Sequence, residues 1–128
     1  MKKWSASRAP AGRIAYVNGR YLRHGEASVH IEDRGLQLGE AVYEVCNVRH
    51  GALIDEAAHL DRMERSLKEL GIALPMGRAA LSLVMREMVS RNRMADGLLY
   101  LQVSRGAAKR DHVPPADARR KRASRVHP

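Results

Sequence analysis

The spacing of apolar residues predicts strands in the first part of the chain, then two helices, then a further strand. The predicted strands, all short apolar or β-branched runs, are 14–17, 20–22, 27–31, 41–48, 52–54 and 97–104. Asn18-Gly19 separates the first two strands and favours a two-residue hairpin, because both residues tolerate positive φ. His50-Gly51 predicts a second tight turn.

Two helices are predicted between the fifth and sixth strands. Asp55 is a candidate N-cap for the first helix, and Gly71 suits its C-terminal end. The apolar stripe of this helix recurs at spacings of three and four: Leu60, Met63, Leu67 and Leu70. A similar stripe follows Pro75: Leu81, Val84, Met85 and Met88. This order of elements predicts an α+β domain with a mainly antiparallel sheet.

Composition divides the 128 residues into three segments. Residues 13–115 are long enough to form one domain with a core, and residues 1–12 form a flexible N-terminus. Residues 116–128 hold five basic side chains against one acid, Asp117, which leaves +5 of the net charge of +9 for the rest. Because this tail lacks apolar periodicity, we expect it to be disordered.

Cysteine content and hydropathy favour a cytoplasmic protein. Cys46, the single cysteine, cannot form an internal disulfide and fits a small core residue. No apolar run approaches the roughly 20 residues that a membrane span requires. The start of the sequence, Met1 to Ala6, is basic but has no apolar stretch behind it, so it does not match a secretory signal.

The chain contains two groups of residues that suit anion binding. Arg62 lies off the apolar stripe of the first predicted helix, and its planar fork suits a phosphate. An ordinary solvated charge on the helix surface fits the same position. The loop Arg105–His112 follows a strand and gathers cations that could hold a carboxylate, or could form an ordinary basic surface loop. His59 fits a structural role, and no metal-binding spacing surrounds it.

A further pattern combines Asp33-Arg34-Gly35, Gly39-Glu40 and Tyr43-Glu44. By residue type alone it is a glycine-bearing turn that enters a strand with an aromatic hydroxyl, and Tyr43 also fits a half-buried strand residue. With the Arg105–His112 loop, this pattern makes 16–114 resemble the N-terminal domain of fold-type IV pyridoxal-phosphate aminotransferases. The resemblance is greatest to the D-amino acid aminotransferase branch. Leu38 replaces the usual aromatic residue of that pattern, and Glu40 replaces the usual aspartate.

The resemblance implies a cofactor, pyridoxal 5'-phosphate (PLP), and a function for four residues. By matching position, Arg62 would contact the cofactor phosphate. Tyr43, Arg110 and His112 would bind the carboxylate of an amino acid or 2-oxo acid. The branched-chain aminotransferases lack the Arg110/His112 pair, so the D-amino acid branch is the better match. The resemblance also implies a homodimer for the full-length family.

The lysine that forms the Schiff base in this family lies in a second domain. None of the lysines of this sequence matches the Schiff-base position: Lys2, Lys3, Lys68, Lys109 and Lys121. We therefore expect no catalytic residue in the chain and no activity of the chain alone. The composition of the tail predicts a frameshift or truncation after Pro114.

Three alternatives remain open at this point. The chain could be a non-catalytic anion-binding or interaction module. It could also derive from the related aminodeoxychorismate lyase or from a branched-chain aminotransferase. A nucleic-acid partner is disfavoured because the basic tail has no interleaved aromatic residues and no recognised binding fold.

Overall fold

The computed structural model describes residues 12–113 and the backbone of 123–127. Its strands are β1 (Ile14–Val17), β2 (Arg20–Arg23), β3 (Ala41–Arg49), β4 (Ala52–Leu53), β5 (Gly97–Ser104) and β6 (Ala123–His127). Its helices are α1 (Arg34–Leu38), α2 (Glu56–Glu69) and α3 (Arg78–Arg91), with a 3-10 turn at His24–Glu26.

The six strands form one sheet in the order β2-β1-β6-β5-β3-β4, and every neighbouring pair is antiparallel. The predicted α+β class with a mainly antiparallel sheet is therefore confirmed. The β1–β2 hairpin also forms as predicted, with Asn18 and Gly19 at φ 49° and 87°.

The core lies between the helices and one face of the sheet. Side chains of β3 alternate, so that Val42, Glu44, Cys46 and Val48 point inward. Cys46 is fully buried, as predicted, and burial raises the pKa of its thiol to about 11. The remaining core consists mainly of aliphatic and methionine side chains from α2, α3 and β5: Leu60, Met63, Leu67, Leu81, Val84, Met85, Met88, Val89, Leu99, Leu101 and Val103.

The helices follow the predicted apolar stripes with two differences. Leu70 falls just past the end of α2 and is 45% exposed. Asp55 does precede the first residue of α2, but it adopts φ 54° and makes no side-chain bond to the helix. In the described part of the chain, no helix is both long and apolar enough to cross a membrane.

The strand predicted over 27–31 does not form. The 3-10 turn after β2 redirects the chain, and 27–30 then form no strand pairing with any part of the chain that the structure describes. Ile31, one of the alternating apolar residues, is 76% exposed. Alternation over five residues therefore predicted a strand wrongly, because a strand forms only where the segment also pairs with a neighbour.

The disordered tail predicted over 116–128 is wrong for Ala123–His127, which form β6. This strand pairs with β5 across its whole length and with β1 through Tyr16↔Val126 and Val17↔Arg125. It thereby completes the backbone hydrogen bonding of two strands that would otherwise present open edges. The rest of the tail, like residues 1–11, lies outside the described residues.

Candidate ligand-binding site

Glu44 fixes the first candidate residue, Arg62. Glu44 points from β3 towards α2, and its side chain is 4% exposed. Arg62 donates from Nε to Oε1 at 2.7 Å and from Nη2 to Oε2 at 2.6 Å. His59, one turn earlier on α2, lies with Nδ1 2.7 Å from Oε2. The carboxylate thus orients both side chains.

The charges of this cluster reinforce one another. Hydrogen bonds from Arg62 lower the pKa of Glu44 against the opposing effect of burial, and His59 adds to the lowering. The same bond raises the pKa of Arg62. The carboxylate is therefore ionised and the guanidinium charged at neutral pH.

Arg62 has the geometry that a phosphate contact requires. Its bonds to Glu44 use the Nε–Nη2 edge, so Nη1 lies at the other end of the planar fork, and the side chain is 57% exposed. An arginine whose plane is already fixed donates to phosphate oxygens with little further loss of side-chain entropy. The residues present therefore fit the phosphate of PLP.

Tyr43 lies on the other face of the sheet. It precedes Glu44 in β3, so the two side chains point in opposite directions, and Tyr43 is 63% exposed. Its ring stacks on Tyr100 of β5 at 5.6 Å with an interplanar angle of 11°. The structure thus does not bring Tyr43 together with Arg62.

Arg110 and His112 lie in an exposed loop that leaves the end of β5. The start of this loop is fixed to the segment before α1. Ser104 donates to Asp33 Oδ2 at 2.9 Å, and Asp33 forms a β-bridge with Ala107. Both candidates are therefore accessible, on either side of Asp111.

Sequence reasoning missed a buried charged cluster at the base of this loop. Arg34 is completely buried and donates from Nε and Nη2 to the Glu40 carboxylate at 2.7 and 2.9 Å. Arg105 Nε donates to the same carboxylate at 2.8 Å. These bonds, with that from Arg34 as the largest cause, lower the pKa of Glu40.

The sequence carried only an indirect signal of this cluster. Arg34 and Glu40 stand within the glycine-bearing pattern, but nothing in their types indicates that the arginine is buried. The predicted turn at Asp33 is instead the N-cap of α1, with Oδ1 accepting from the backbone of Gly35 and Leu36 at 2.9 and 3.2 Å. Among the described residues, no cluster of His, Cys, Asp and Glu could hold a metal ion.

Comparison with known proteins assigns this chain to a family. The model of the class IV amino-transferases matches residues 41–126, which include β3, both long helices, the Arg105–His112 loop and most of β6. The chain belongs to the class IV aminotransferase family.

Two of the curated relatives are D-alanine aminotransferases. The chain is 44% identical over 95 residues to the D-alanine aminotransferase of Bacillus licheniformis, a match that spans 74% of this chain and 34% of that protein. It is 35% identical over 102 residues to the D-alanine aminotransferase of Listeria innocua, which covers 79% of this chain and 35% of that one. The chain therefore spans about a third of the length of these relatives.

Solved structures share the architecture. The branched-chain amino acid aminotransferase of Escherichia coli superposes with a TM-score of 0.82 at 18% identity, over 91% of this chain and 39% of that one. The 4-amino-4-deoxychorismate lyase of Pseudomonas aeruginosa superposes with a TM-score of 0.69 at 30% identity, over 88% and 38%. The first likeness supports the fold alone.

Proposed function

We propose that this chain is the small domain of a PLP-dependent D-amino acid aminotransferase. The observation that carries the proposal is the 44% identity to a D-alanine aminotransferase over a segment of 95 residues. The reaction would move the amino group of a D-amino acid to a 2-oxo acid. We place the enzyme in the cytoplasm, where free amino acids and 2-oxo acids are abundant.

Within the enzyme, Arg62 would hold the cofactor phosphate. Glu44 would keep its guanidinium plane fixed through the two bonds at 2.7 and 2.6 Å. Bound PLP supplies an electron sink for negative charge that develops at the substrate Cα. The Schiff-base lysine would come from a domain that these 128 residues do not contain.

Tyr43, Arg110 and His112 would bind the substrate carboxylate. Arg110 offers a planar fork for bidentate bonds, and the Tyr43 hydroxyl and the His112 ring each offer one donor. Because Tyr43 and Arg62 lie on opposite faces of the sheet, one copy of the domain is poorly arranged to present all four residues to one small ligand. This separation supports the homodimer, in which two copies would share the residues of each site.

The phosphate contact is tested by titrating the 128-residue chain with pyridoxine 5'-phosphate, which lacks the aldehyde and so cannot react with surface lysines. We expect Arg62→Gln to weaken binding about tenfold, the loss of a charge-assisted contact. Arg65→Gln, a change of another exposed arginine on α2, is the matched control and should have little effect. Unphosphorylated pyridoxine should bind equally weakly to all three proteins. Equal losses in the two variants would argue against the phosphate role of Arg62.

The need for a lysine-bearing domain has its own test. The isolated chain with added PLP should form no pyruvate from D-alanine and a 2-oxo acid acceptor. Sustained pyruvate formation by the pure chain would show that this need is wrong.

A lyase is the second candidate, since the 30% identity to a 4-amino-4-deoxychorismate lyase extends over 88% of the chain. A non-catalytic anion-binding module would retain phosphate and carboxylate binding without turnover after a lysine-bearing domain is supplied. Product analysis of the assembled enzyme separates these alternatives from the aminotransferase.

A further inference from the structure

Arg34 connects the folded core of the domain to the outer part, residues 109–112, of the Arg105–His112 loop. Residues 105–108 form the inner part of this loop. The side chain starts from the first residue of α1 and is completely buried. Its third guanidinium nitrogen, Nη1, donates to the main-chain carbonyl of Asp111 at 2.8 Å. Asp111 stands between Arg110 and His112, so this bond acts at the centre of the proposed carboxylate contacts.

The inner part of the loop is held by the backbone. The amide of Arg34 donates to Gly106 O at 2.9 Å, and the amide of Ala108 donates to Glu32 O at 3.2 Å. Beyond Ala108, the Arg34 side chain reaches out to the loop at Asp111 O, whereas Val113 N bonds locally to Asp111 Oδ1 at 3.3 Å. The outer loop thus depends on a side chain where the inner loop depends on main-chain bonds.

Arg34 is itself held in one orientation. Glu40 accepts from its Nε and Nη2, and Arg105 Nε also donates to Glu40 Oε2 at 2.8 Å. Arg105 also donates from Nη2 to Leu70 O at 2.8 Å, just past the end of α2. With every one of its nitrogens bonded, the planar Arg34 guanidinium fixes where the Asp111 carbonyl lies.

We propose that Arg34 is a positioning residue for carboxylate binding: it sets the placement of Arg110 and His112 by holding the Asp111 carbonyl. This inference rests on the proposed function, because it takes these two residues as the carboxylate contacts. Arg34 is buried and does not touch the substrate itself. Its neighbour Glu40 is required to hold it in place.

The test uses the 128-residue chain with two probes, pyruvate for the carboxylate site and inorganic phosphate for Arg62. Arg34→Lys keeps the charge, but a single ammonium group cannot reproduce the planar three-way fork. We expect the Kd for pyruvate to rise about tenfold. This is the effect of losing one charge-assisted hydrogen bond between pyruvate and a misplaced Arg110 or His112. The Kd for phosphate should stay unchanged, and amide exchange at Arg110 and His112 should accelerate.

Arg78→Lys is the matched control, since Arg78 is half-exposed and pairs with Asp61 and Glu64 far from the loop in sequence. It should change neither Kd. If Arg34→Lys does not fold, Glu40→Gln provides a second variant. It replaces one of the two oxygens that accept hydrogen bonds from Arg34 by an amide donor, and it should weaken pyruvate binding in the same selective way.

Three results would overturn the proposal. Pyruvate binding that is unchanged in a folded Arg34→Lys or Glu40→Gln variant would do so while leaving the proposed function intact. Equal loss of pyruvate and phosphate binding would indicate a general effect on the fold. Wild-type chain that does not bind pyruvate would remove the carboxylate role of Arg110 and His112, on which this inference rests, while the family relationship behind the proposed function would stand.

Discussion

Arg62 donates two hydrogen bonds along one edge of its guanidinium to the buried carboxylate of Glu44, and its side chain stays 57% exposed. This relationship couples the fold to the site. The Glu44 carboxylate links β3 to α2, and it also fixes the plane of the Arg62 guanidinium that would bind a phosphate. Changes at Glu44 should therefore affect both stability and phosphate binding.

Replacing Glu44 by Gln should destabilise the domain by about 1–3 kcal/mol, because a buried amide donor then faces the donors of Arg62. Urea denaturation followed by circular dichroism measures the change. Glu87→Gln is the control, since Glu87 forms an exposed ion pair with Arg91 within α3 and should cost well under about 1 kcal/mol. Equal effects of the two substitutions would show that Glu44 is not the anchor of Arg62.

Stability should fall in acid because of Glu44 and Glu40. Both have pKa values lowered from 4.5 in the folded domain, chiefly by Arg62 and Arg34 respectively. Below 4.5 the unfolded chain binds protons at these sites before the folded one does, so the free energy of unfolding decreases as pH falls through the lowered values. Urea midpoints between pH 5 and pH 3 should drop less steeply in Glu44→Gln than in the wild type. Identical slopes would contradict a lowered pKa at Glu44.

Gly35 should resist substitution because of its neighbours. A Cβ at this position would lie 2.8 Å from Ser104 Cβ and 2.9 Å from Asp33 Oδ1. Gly35→Ala should therefore displace the Asp33–Ser104 bond, lower the thermal midpoint and accelerate amide exchange in the loop after β5. Gly25→Ala is the matched control, since a Cβ there meets nothing within 4 Å. A Gly35→Ala protein as stable as the control would mean that this close packing is not needed.

Two leucines on α3 give a direct test of the core. Leu81 is fully buried, and Leu83 is 67% exposed. Leu81→Ala should cost about 2–5 kcal/mol through lost burial and the cavity left behind. Leu83→Ala should stay within about 0.5 kcal/mol, as measured by the same urea titration. The reverse order would mean that α3 turns Leu83, and not Leu81, towards the core.

The sequence predicted the parts of the fold that depend on local periodicity. The stripe of α3 holds from Leu81 to Met88, because a helix that covers a sheet must bury one face. The hairpin at Asn18-Gly19 holds because its backbone demands are met by two adjacent residues. The predicted strand over 27–31 fails because strand formation depends on a partner, which five residues of alternation do not reveal.

Long-range pairing explains the other differences. The strand β6 follows a basic, weakly apolar segment, and its place between β1 and β5 depends on pairing partners that are 19 or more residues away in sequence. The bonds of Arg34 to Glu40 and to Asp111 join residues 6 and 77 positions apart. Residue type marked Arg62 and Arg110 as anion-binding candidates, but it gave no sign that Arg34 is buried.

The central claim is that this domain serves D-amino acid transamination. The most direct test replaces the matching segment of the Bacillus licheniformis D-alanine aminotransferase with that of this chain and measures pyruvate formed from D-alanine and from L-alanine. We expect turnover with D-alanine, little with L-alanine, and a large loss of the D-alanine reaction in the chimera that carries Arg110→Gln. A folded, PLP-loaded chimera that forms no pyruvate from D-alanine, or forms it equally from both isomers, would contradict the claim.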